Sequence, residues 1–345
     1  MNSSPVPVRY ASVDALRGVA VAAMILVNTP GDWDHVYAPL LHSEWHGFTP
    51  TDLVFPLFLF IVGVSIALAP RADAPSILWR AARIVALGLA LHLVAMWLID
   101  GRGFRPWGVL QRIGICYGAA ALIAMQAKPR TQWIVIAALL LGYWALMAWG
   151  GSFERDGNLA SRVDTAIFGR LVYEYDPATG LGHDPEGLLS TFPAIATTLL
   201  GIRAGDWLRA DGARRMVTGG IAALVLGYAW SLAFPINKNL WTSSFVLWAG
   251  GWSMLLLALF HIAIDRRGFP AIGRRFGVNA IVVYAGAWVL ECVLAALHLG
   301  APLANALAAS IGDRKAASLA YGISFLFAWW LAALALDRRG VRVRI

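Results

Sequence analysis

The stretch that decides the fold is YAPLLHSEWHGFTPTDLVFPLFLFIVGVSIALA, residues 37–69. From Leu53 to Ala69 it holds no charged side chain, so a helix built from it is apolar all round. A helix of that kind is buried in a large protein or crosses a bilayer. Crossing a hydrocarbon core about 30 Å thick takes roughly 20 apolar residues, and Thr51–Ala69 comes close to that length. The first half of the stretch is different in kind. His42, Glu44, His46 and Asp52 stand at the threshold of the span. The tetrapeptide TPTD puts Thr49 at a helix N-cap, Pro50 at the first helical position and Asp52 at the third. That is close to a capping box with Asp in place of Glu.

The rest of the chain repeats the apolar theme. Of its 345 residues, 59% are hydrophobic and 14% charged, against about 25% charged in a soluble domain. The mean hydropathy is +0.64. Ten apolar blocks are expected to span: Val13–Asn28, Thr51–Ala69, Ala81–Ile99, Gly108–Gln126, Trp133–Trp149, Leu188–Arg203, Met216–Phe234, Thr242–Ile262, Phe276–His298 and Ala316–Leu336. The predicted fold is therefore all-α, a polytopic helical membrane protein forming a single domain over residues 1–345. The long segment outside the blocks is Gly150–Gly187, an expected outward loop rich in Gly, Asp, Tyr and Arg. Loops of that length usually carry function or are disordered. No secretory leader is expected, because Asp14 and Arg17 interrupt the first apolar block.

Lys and Arg set the orientation. One side holds 18 of them, including Arg9, Arg71, Arg80, Arg83, Lys128, Arg203, Arg209 and Arg344, and the other holds 8. An even number of spans then puts both termini in the cytoplasm. The net charge of +8 is accounted for by this asymmetry, together with attraction to anionic membrane lipid, and calls for no nucleic acid. Cys116 and Cys292 both fall inside spans, so no disulfide framework is expected. The chain contains no HExxH, Walker or convincing dinucleotide pattern. His42 and His46 are four apart, but no third ligand is evident, and no metal is expected.

Ionisable residues inside spans are functional candidates by default. Here they are Asp14, Arg17, Asp52, His92, Arg112 and Glu291, with Asn28 and Asn279 as uncharged members. Asp14 and Arg17 are three apart, so they pair on one helix face or leave Arg17 to meet an anion at the cytoplasmic mouth. Asp52 caps its helix, orients an imidazole, or does both. Asn28 closes the first span as a turn residue or as a carboxamide donor. Glu291, in the middle of WVLECVLAALH, must face another helix or a water-filled cavity. The loop FPINKNLWTSS offers Asn237, Lys238 and Asn239 on the same outer face as His42 and Trp45. In it Trp241 is expected as an interfacial anchor, and Thr242 or Ser243 as a helix cap.

Six stretches, in order along the chain, resemble one family: SVDALRGVAVAAMILVN, LHSEWHGFTPTDLVFPLFLFIVGVSIAL, GVLQRIGICY, HDPEGLLSTFPAIATTLLGIRAG, INKNLWTSSFVL and GVNAIVVYAG. They resemble the heparan-alpha-glucosaminide N-acetyltransferase family, in the form of a bacterial member without the extra luminal domain. The resemblance implies transmembrane acetylation, with acetyl-CoA as co-substrate inside and the amino group of a glucosamine-type sugar as acceptor outside. It implies an inner (cytoplasmic) membrane location and, from the animal relative, a homodimer. It places the family's active histidine on His42, its asparagine on Asn28 and its aspartate on Asp52. The family's HASWNG reads HSEWHG here, and Ala287 and Trp288 stand where the animal enzyme has His-Glu, although Glu291 is kept. With those changes a free amino sugar, a cell-wall fragment or a surface glycan is the expected acceptor.

Amide formation from a thioester needs a base of near-neutral pKa, and His42 suits. It needs hydrogen-bond donors for the oxyanion, for which Asn28 is the candidate. Asp52 would fix the His42 tautomer. Arg17, Arg80 and Arg83 are the candidates for the CoA phosphates. Trp45, Asn237, Lys238, Asn239 and Glu291 are the candidates for acceptor contacts. His42 acts either as base in a ternary complex, the favoured route, or as acetyl carrier in a ping-pong cycle. An amino-sugar transporter is the rival reading. It would show inverted repeats or broken spans in matching halves, and it has no need of a His42–Asp52 pair.

Overall fold

A computed structural model describes residues 10–70 and 72–343. Arg9, Arg71 and Arg344, counted above for orientation, lie outside the described residues. The chain runs through α1 (Ala11–Asn28), α2 (Val54–Leu68), α3 (Ala74–Leu98), α4 (Val109–Gln126) and α5 (Pro129–Trp149). The long loop over residues 150–187 then forms α6 (Leu159–Phe168) and a hairpin of β1 (Glu174–Asp176) and β2 (Leu181–His183). The hairpin is antiparallel, with Tyr175 opposite Gly182. After it come α7 (Thr191–Arg209), α8 (Ala213–Ser231), α9 (Ser243–Phe260), α10 (Arg274–Val278), α11 (Ala280–Ala296), α12 (Gly300–Ile311) and α13 (Arg314–Arg338).

Each of the ten expected blocks carries a helix, and the fold is all-α and of the polytopic membrane type. Among the described residues, seven helices are long and apolar enough to cross a membrane on their own. They are α1, α2 with its leading turn, α3, α4, α5, α9 with its trailing π turn, and α13. The pair α11 and α12, bent by 89° at a short break, makes an eighth if it is one span. The expected count of ten is higher because α7 and α8 fall outside this set. Each has 19 residues, but α7 carries Arg203, Asp206 and Arg209, and α8 carries Arg214 and Arg215. α7 can be less apolar because protein rather than lipid surrounds most of it. Thr197, Thr198, Leu199, Gly201 and Ile202 are all buried.

The core follows from α2 and α7. A Cβ added at Gly63 would lie 1.9 Å from the Thr198 carbonyl oxygen, and one at Gly201 would lie 2.0 Å from that of Phe60. The two backbones therefore touch, the close approach that small residues permit between membrane helices. Leu59, Phe60, Leu199 and Phe245 fill in around the crossing. Trp241 belongs to this core and is 1% exposed, which corrects its expected place at the membrane interface. Its indole Nε1 donates to Thr197 Oγ1 at 3.1 Å, and the Arg112 guanidinium lies over its ring at 5.0 Å. Satisfying the indole inside the bundle removes the reason to seek water.

A cavity of about 1150 Å³ opens beside this core, lined along α4 from Val109 to Gln126. A helix of that length rises about 27 Å, nearly the thickness of a hydrocarbon core. At one end the lining includes Arg80, Lys128, Arg203 and Arg209, together with Tyr10 and Val343 close to the two described chain ends. At the other end it reaches Met24, Leu110 and Tyr284.

Candidate active site

His42 lies at the end of the molecule opposite the cationic mouth, in the connection between α1 and α2. The described backbone from Leu41 to Thr49 is not helical, so the four-residue spacing of His42 and His46 does not place them on one helix face. Instead the loop is pinned to the turn that opens α2. Thr49 Oγ1 donates to the Leu41 carbonyl at 2.7 Å, and Thr51 Oγ1 donates to that of Pro39 at 3.0 Å. The capping box is present, with Asp52 Oδ2 accepting from the Thr49 amide at 2.9 Å. Caps of this kind stabilise a helix by about 0.5–2 kcal/mol.

Asp52 does both things the sequence allowed. Oδ2 serves the cap and accepts from the Ser43 amide at 3.2 Å, while Oδ1 meets His42 Nδ1 at 2.7 Å. The Asp52 side chain is 0% exposed and the His42 side chain 45%. A buried carboxylate is thus saturated with donors, and the imidazole turns its other nitrogen toward the open side. A carboxylate on Nδ1 selects the tautomer with the proton there, leaving Nε2 with its lone pair.

Lys238, from the α8–α9 connection, brings Nζ to 3.3 Å from His42 Nε2 and 3.5 Å from Nδ1. Behind it lies Glu186, in the segment that leads from β2 into α7. Arg105 Nη2 donates to Glu186 Oε2 at 2.5 Å and to Asp184 Oδ1 at 2.5 Å, and its guanidinium lies over the Tyr173 ring at 4.2 Å. Burial works against the Glu186 carboxylate, but Arg105, Arg112 and Lys238 outweigh it and hold Glu186 below its usual range. Burial lowers the Lys238 ammonium from its ordinary value, while Glu186 and Asp52 oppose that. His183, beside Ser161 Oγ at 3.0 Å, is pushed down to about 3 by burial, with Glu186 opposing. Burial pushes Asp164 up to about 7, against the Leu188 amide that it accepts at 2.8 Å.

The other sequence candidates separate. Trp45 packs edge-on to His183, with ring centroids 4.9 Å apart, and donates from Nε1 to the Phe153 carbonyl at 2.9 Å. It forms the wall between the His42 loop and the outward loop. Asn237 is buried, with Oδ1 accepting from the Leu240 amide at 2.8 Å and Nδ2 facing His46 Nδ1 at 3.2 Å. Asn239 is half-buried beside it. Thr242 caps α9 by accepting from the Phe245 amide. Asn28 is exposed at the end of α1, and no described hydrogen bond joins it to His42. Glu291 is half-buried in α11, its Oε2 buried without a hydrogen-bond partner among the described residues. Arg17 pairs with Asp14 at 3.0 Å and donates to Ser65 Oγ at 2.8 Å. Arg17 and Arg80 line the cavity, whereas Arg83 points from an exposed face of α3 outside the lining. Among the described residues no cluster of His, Cys, Asp and Glu could hold a metal ion.

Sequence reasoning missed Arg105, Asp184 and Glu186. The signal was three charged residues in two loops, whose meeting depends on how those loops fold over the bundle. It noted Arg112 and His92 without a role. Arg112 is fully buried, donating to the Gly187 carbonyl at 3.0 Å and to Ser190, and it anchors the start of α7. His92 meets the Arg105 carbonyl at 2.5 Å and holds the loop after α3.

A multi-pass membrane protein with a carboxylate–imidazole pair at one end and a cation-lined cavity opening at the other is the class that fold and site define. Comparison with known sequences narrows this. The sequence model described as "Heparan-alpha-glucosaminide N-acetyltransferase, catalytic" matches residues 9–234, well over half of the chain. The chain belongs to that family. It is 27% identical over 361 residues to the Homo sapiens heparan-alpha-glucosaminide N-acetyltransferase, covering 84% of this chain and 54% of that protein. The Mus musculus enzyme of the same name is 28% identical over 356 residues, covering 82% and 54%. The chain spans about half the length of these curated relatives.

Proposed function

We propose that this protein is a membrane N-acetyltransferase that moves acetyl from cytoplasmic acetyl-CoA to the amino group of a glucosamine-type sugar on the outer side. The observation that carries the reading is the pair formed by buried Asp52 and half-exposed His42, 2.7 Å apart. The names of the relatives support the reaction class. In this reading the cationic end of the cavity faces the cytoplasm with both termini, and the protein sits in a bacterial inner membrane.

The cavity suits the co-substrate. Arg17, Arg80, Lys128, Arg203 and Arg209 line it at the cytoplasmic end, where the CoA phosphates would lie. Its apolar middle, with Val21, Phe58, Val62 and Ile113, suits a pantetheine arm reaching toward the outer face. The acceptor amine then approaches His42 Nε2 from outside, past the wall made by Trp45, with Asn237, Asn239 and Glu291 as acceptor-side candidates and Lys238 beside the imidazole. Holding both reactants in one geometry removes much of the entropic part of the barrier.

In the ternary complex the amine nitrogen attacks the thioester carbonyl carbon and its proton passes to His42 Nε2. Asp52 stabilises the imidazolium through Nδ1–H. The carbonyl electron pair moves onto oxygen, where a hydrogen-bond donor is required, Asn28 being the candidate that the sequence offers. It returns as the carbon–sulfur bond breaks, and the CoA thiolate takes the proton from His42. The products are the N-acetyl sugar and CoA.

The test uses purified protein in detergent with radiolabelled acetyl-CoA and glucosamine. The expected result is labelled N-acetyl sugar with stoichiometric CoA. In His42→Ala turnover falls by roughly 100–10,000-fold, the ordinary worth of general acid–base catalysis. Label carried by the protein before acceptor is added would move the mechanism to an acetyl-histidine cycle. Failure to bind or turn over acetyl-CoA would sink the reading and turn attention to uptake of amino sugars.

A further inference from the structure

The reaction needs a hydrogen-bond donor at the thioester oxygen, and Asn28 is exposed at the end of α1 with no described hydrogen bond to the His42–Asp52 pair. Lys238 is nearer. Its Nζ lies almost equally far from the two imidazole nitrogens, at 3.3 Å and 3.5 Å. A donor in line with the Nε2 lone pair would be much closer to Nε2 than to Nδ1, since the two are on opposite sides of Cε1. The ammonium therefore stands beside the ring rather than on the lone-pair axis. Nε2 stays open to an incoming amine while a cation waits next to the position that amine would take.

The surroundings hold Lys238 in that posture. The titratable and charged groups that face it are His42 in the α1–α2 loop, Asp52 at the start of α2, Glu186 before α7, Arg105 before α4 and Arg112 in α4. Two cations push on it and two carboxylates draw it. Glu186 already has Arg105 at 2.5 Å, and Asp52 already has His42 and the cap. Neither carboxylate depends on Lys238 for its partner, so the ammonium has donor capacity left for a ligand. The loop that carries it is anchored by Asn237, Trp241 and Thr242, all fully or almost fully buried.

We propose that Lys238 is a catalytic residue whose ammonium donates to the thioester carbonyl oxygen and stabilises the oxyanion while His42 takes the proton of the acceptor amine. This rests on the acyl-transfer reading above. As the nitrogen–carbon bond forms, the π pair of the carbonyl goes to oxygen, beside Nζ. When the carbon–sulfur bond breaks that pair re-forms the carbonyl, the sulfur leaves with its bonding electrons and takes the proton held by His42, and Lys238 ends as it began. A preorganised charge aimed where charge develops lowers the barrier without strengthening ground-state binding.

The test is steady-state kinetics of Lys238→Met in the full-length protein, with acetyl-CoA binding measured separately by titration calorimetry. The expected result is a kcat about 100–1,000-fold below wild type, the usual cost of removing one oxyanion donor. The Kd for acetyl-CoA and the KM for the sugar should stay within about 3-fold of wild type, since uniform binding is untouched. A kcat within about 3-fold of wild type, or a defect confined to the KM of the sugar, overturns the proposal. If Lys238→Met does not bind acetyl-CoA, Lys238→Gln is measured against the same limits. A wild-type protein that binds acetyl-CoA and acetylates no amine on a panel of amino sugars removes the acyl-transfer reading itself, and the role of Lys238 with it.

Discussion

The two ends of the molecule handle charge in opposite ways. At the His42 end Asp52, Asp184 and Glu186 are buried and, with the partly buried Arg105, hydrogen-bonded to one another or to the backbone. At the other end Arg80, Lys128 and Arg209 stand around a cavity mouth with no described bidentate acid partner. Buried charges survive only when paired, and breaking such a pair leaves an uncompensated charge in a low-dielectric site. Charges at a wet mouth are cheap to hold and weakly directional. The first arrangement suits fixed geometry around a reacting group. The second suits attraction of a flexible anionic ligand.

Three substitutions would break or sharpen this contrast. The largest effect is expected from Asp52→Asn. It keeps the size of the side chain and can keep an acceptor for the cap, but it removes the charge that selects the His42 tautomer. By analogy with hydrolase triads kcat should fall by about 1,000–10,000-fold, with acetyl-CoA binding retained. Turnover close to wild type in an acetylation assay would show that Asp52 only caps α2.

Arg105→Met comes second. It strips Asp184 and Glu186 of their shared partner and should cost about 3–5 kcal/mol, read as a lowered thermal midpoint in detergent and faster proteolysis of the 150–187 loop. Unchanged stability would mean that water replaces the guanidinium and that the outer end is less closed than its geometry indicates.

The smallest effect belongs to the cation-lined mouth. Arg209→Ala should raise the KM for acetyl-CoA only several-fold, because exposed ion pairs are worth at most about 1 kcal/mol. The increase should shrink further at high salt. Arg83→Ala, from outside the cavity lining, should leave KM unchanged. Equal effects of the two would mean that the mouth acts through overall charge rather than through local contacts.

Much of the fold was legible because apolar length is a strong signal. The blocks from Val13 to Leu336 could be marked from the absence of charge alone, and helices lie in them. Apolar length alone does not mark α7 as a span, because burial among protein helices rather than lipid sets what that helix tolerates. Trp241 was misread for a related reason. An aromatic beside a loop resembles an interfacial anchor until Thr197, from a helix 44 residues away, satisfies its indole. At the candidate site the local part was readable. The capping spacing of Thr49 and Asp52 and the titratable run around His42 sit within a few residues of each other. The remote part was not. Lys238 lies 196 residues from His42, and Arg105 lies 81 from Glu186, so only the folded loops bring them together.

The double duty of Asp52 has a consequence for inheritance. One oxygen begins a membrane helix and the other aims an imidazole, so the two properties cannot drift independently. A change that loosens the helix start would also move the histidine. Thr49, which makes no described contact with the imidazole, is thereby tied to its placement through Asp52.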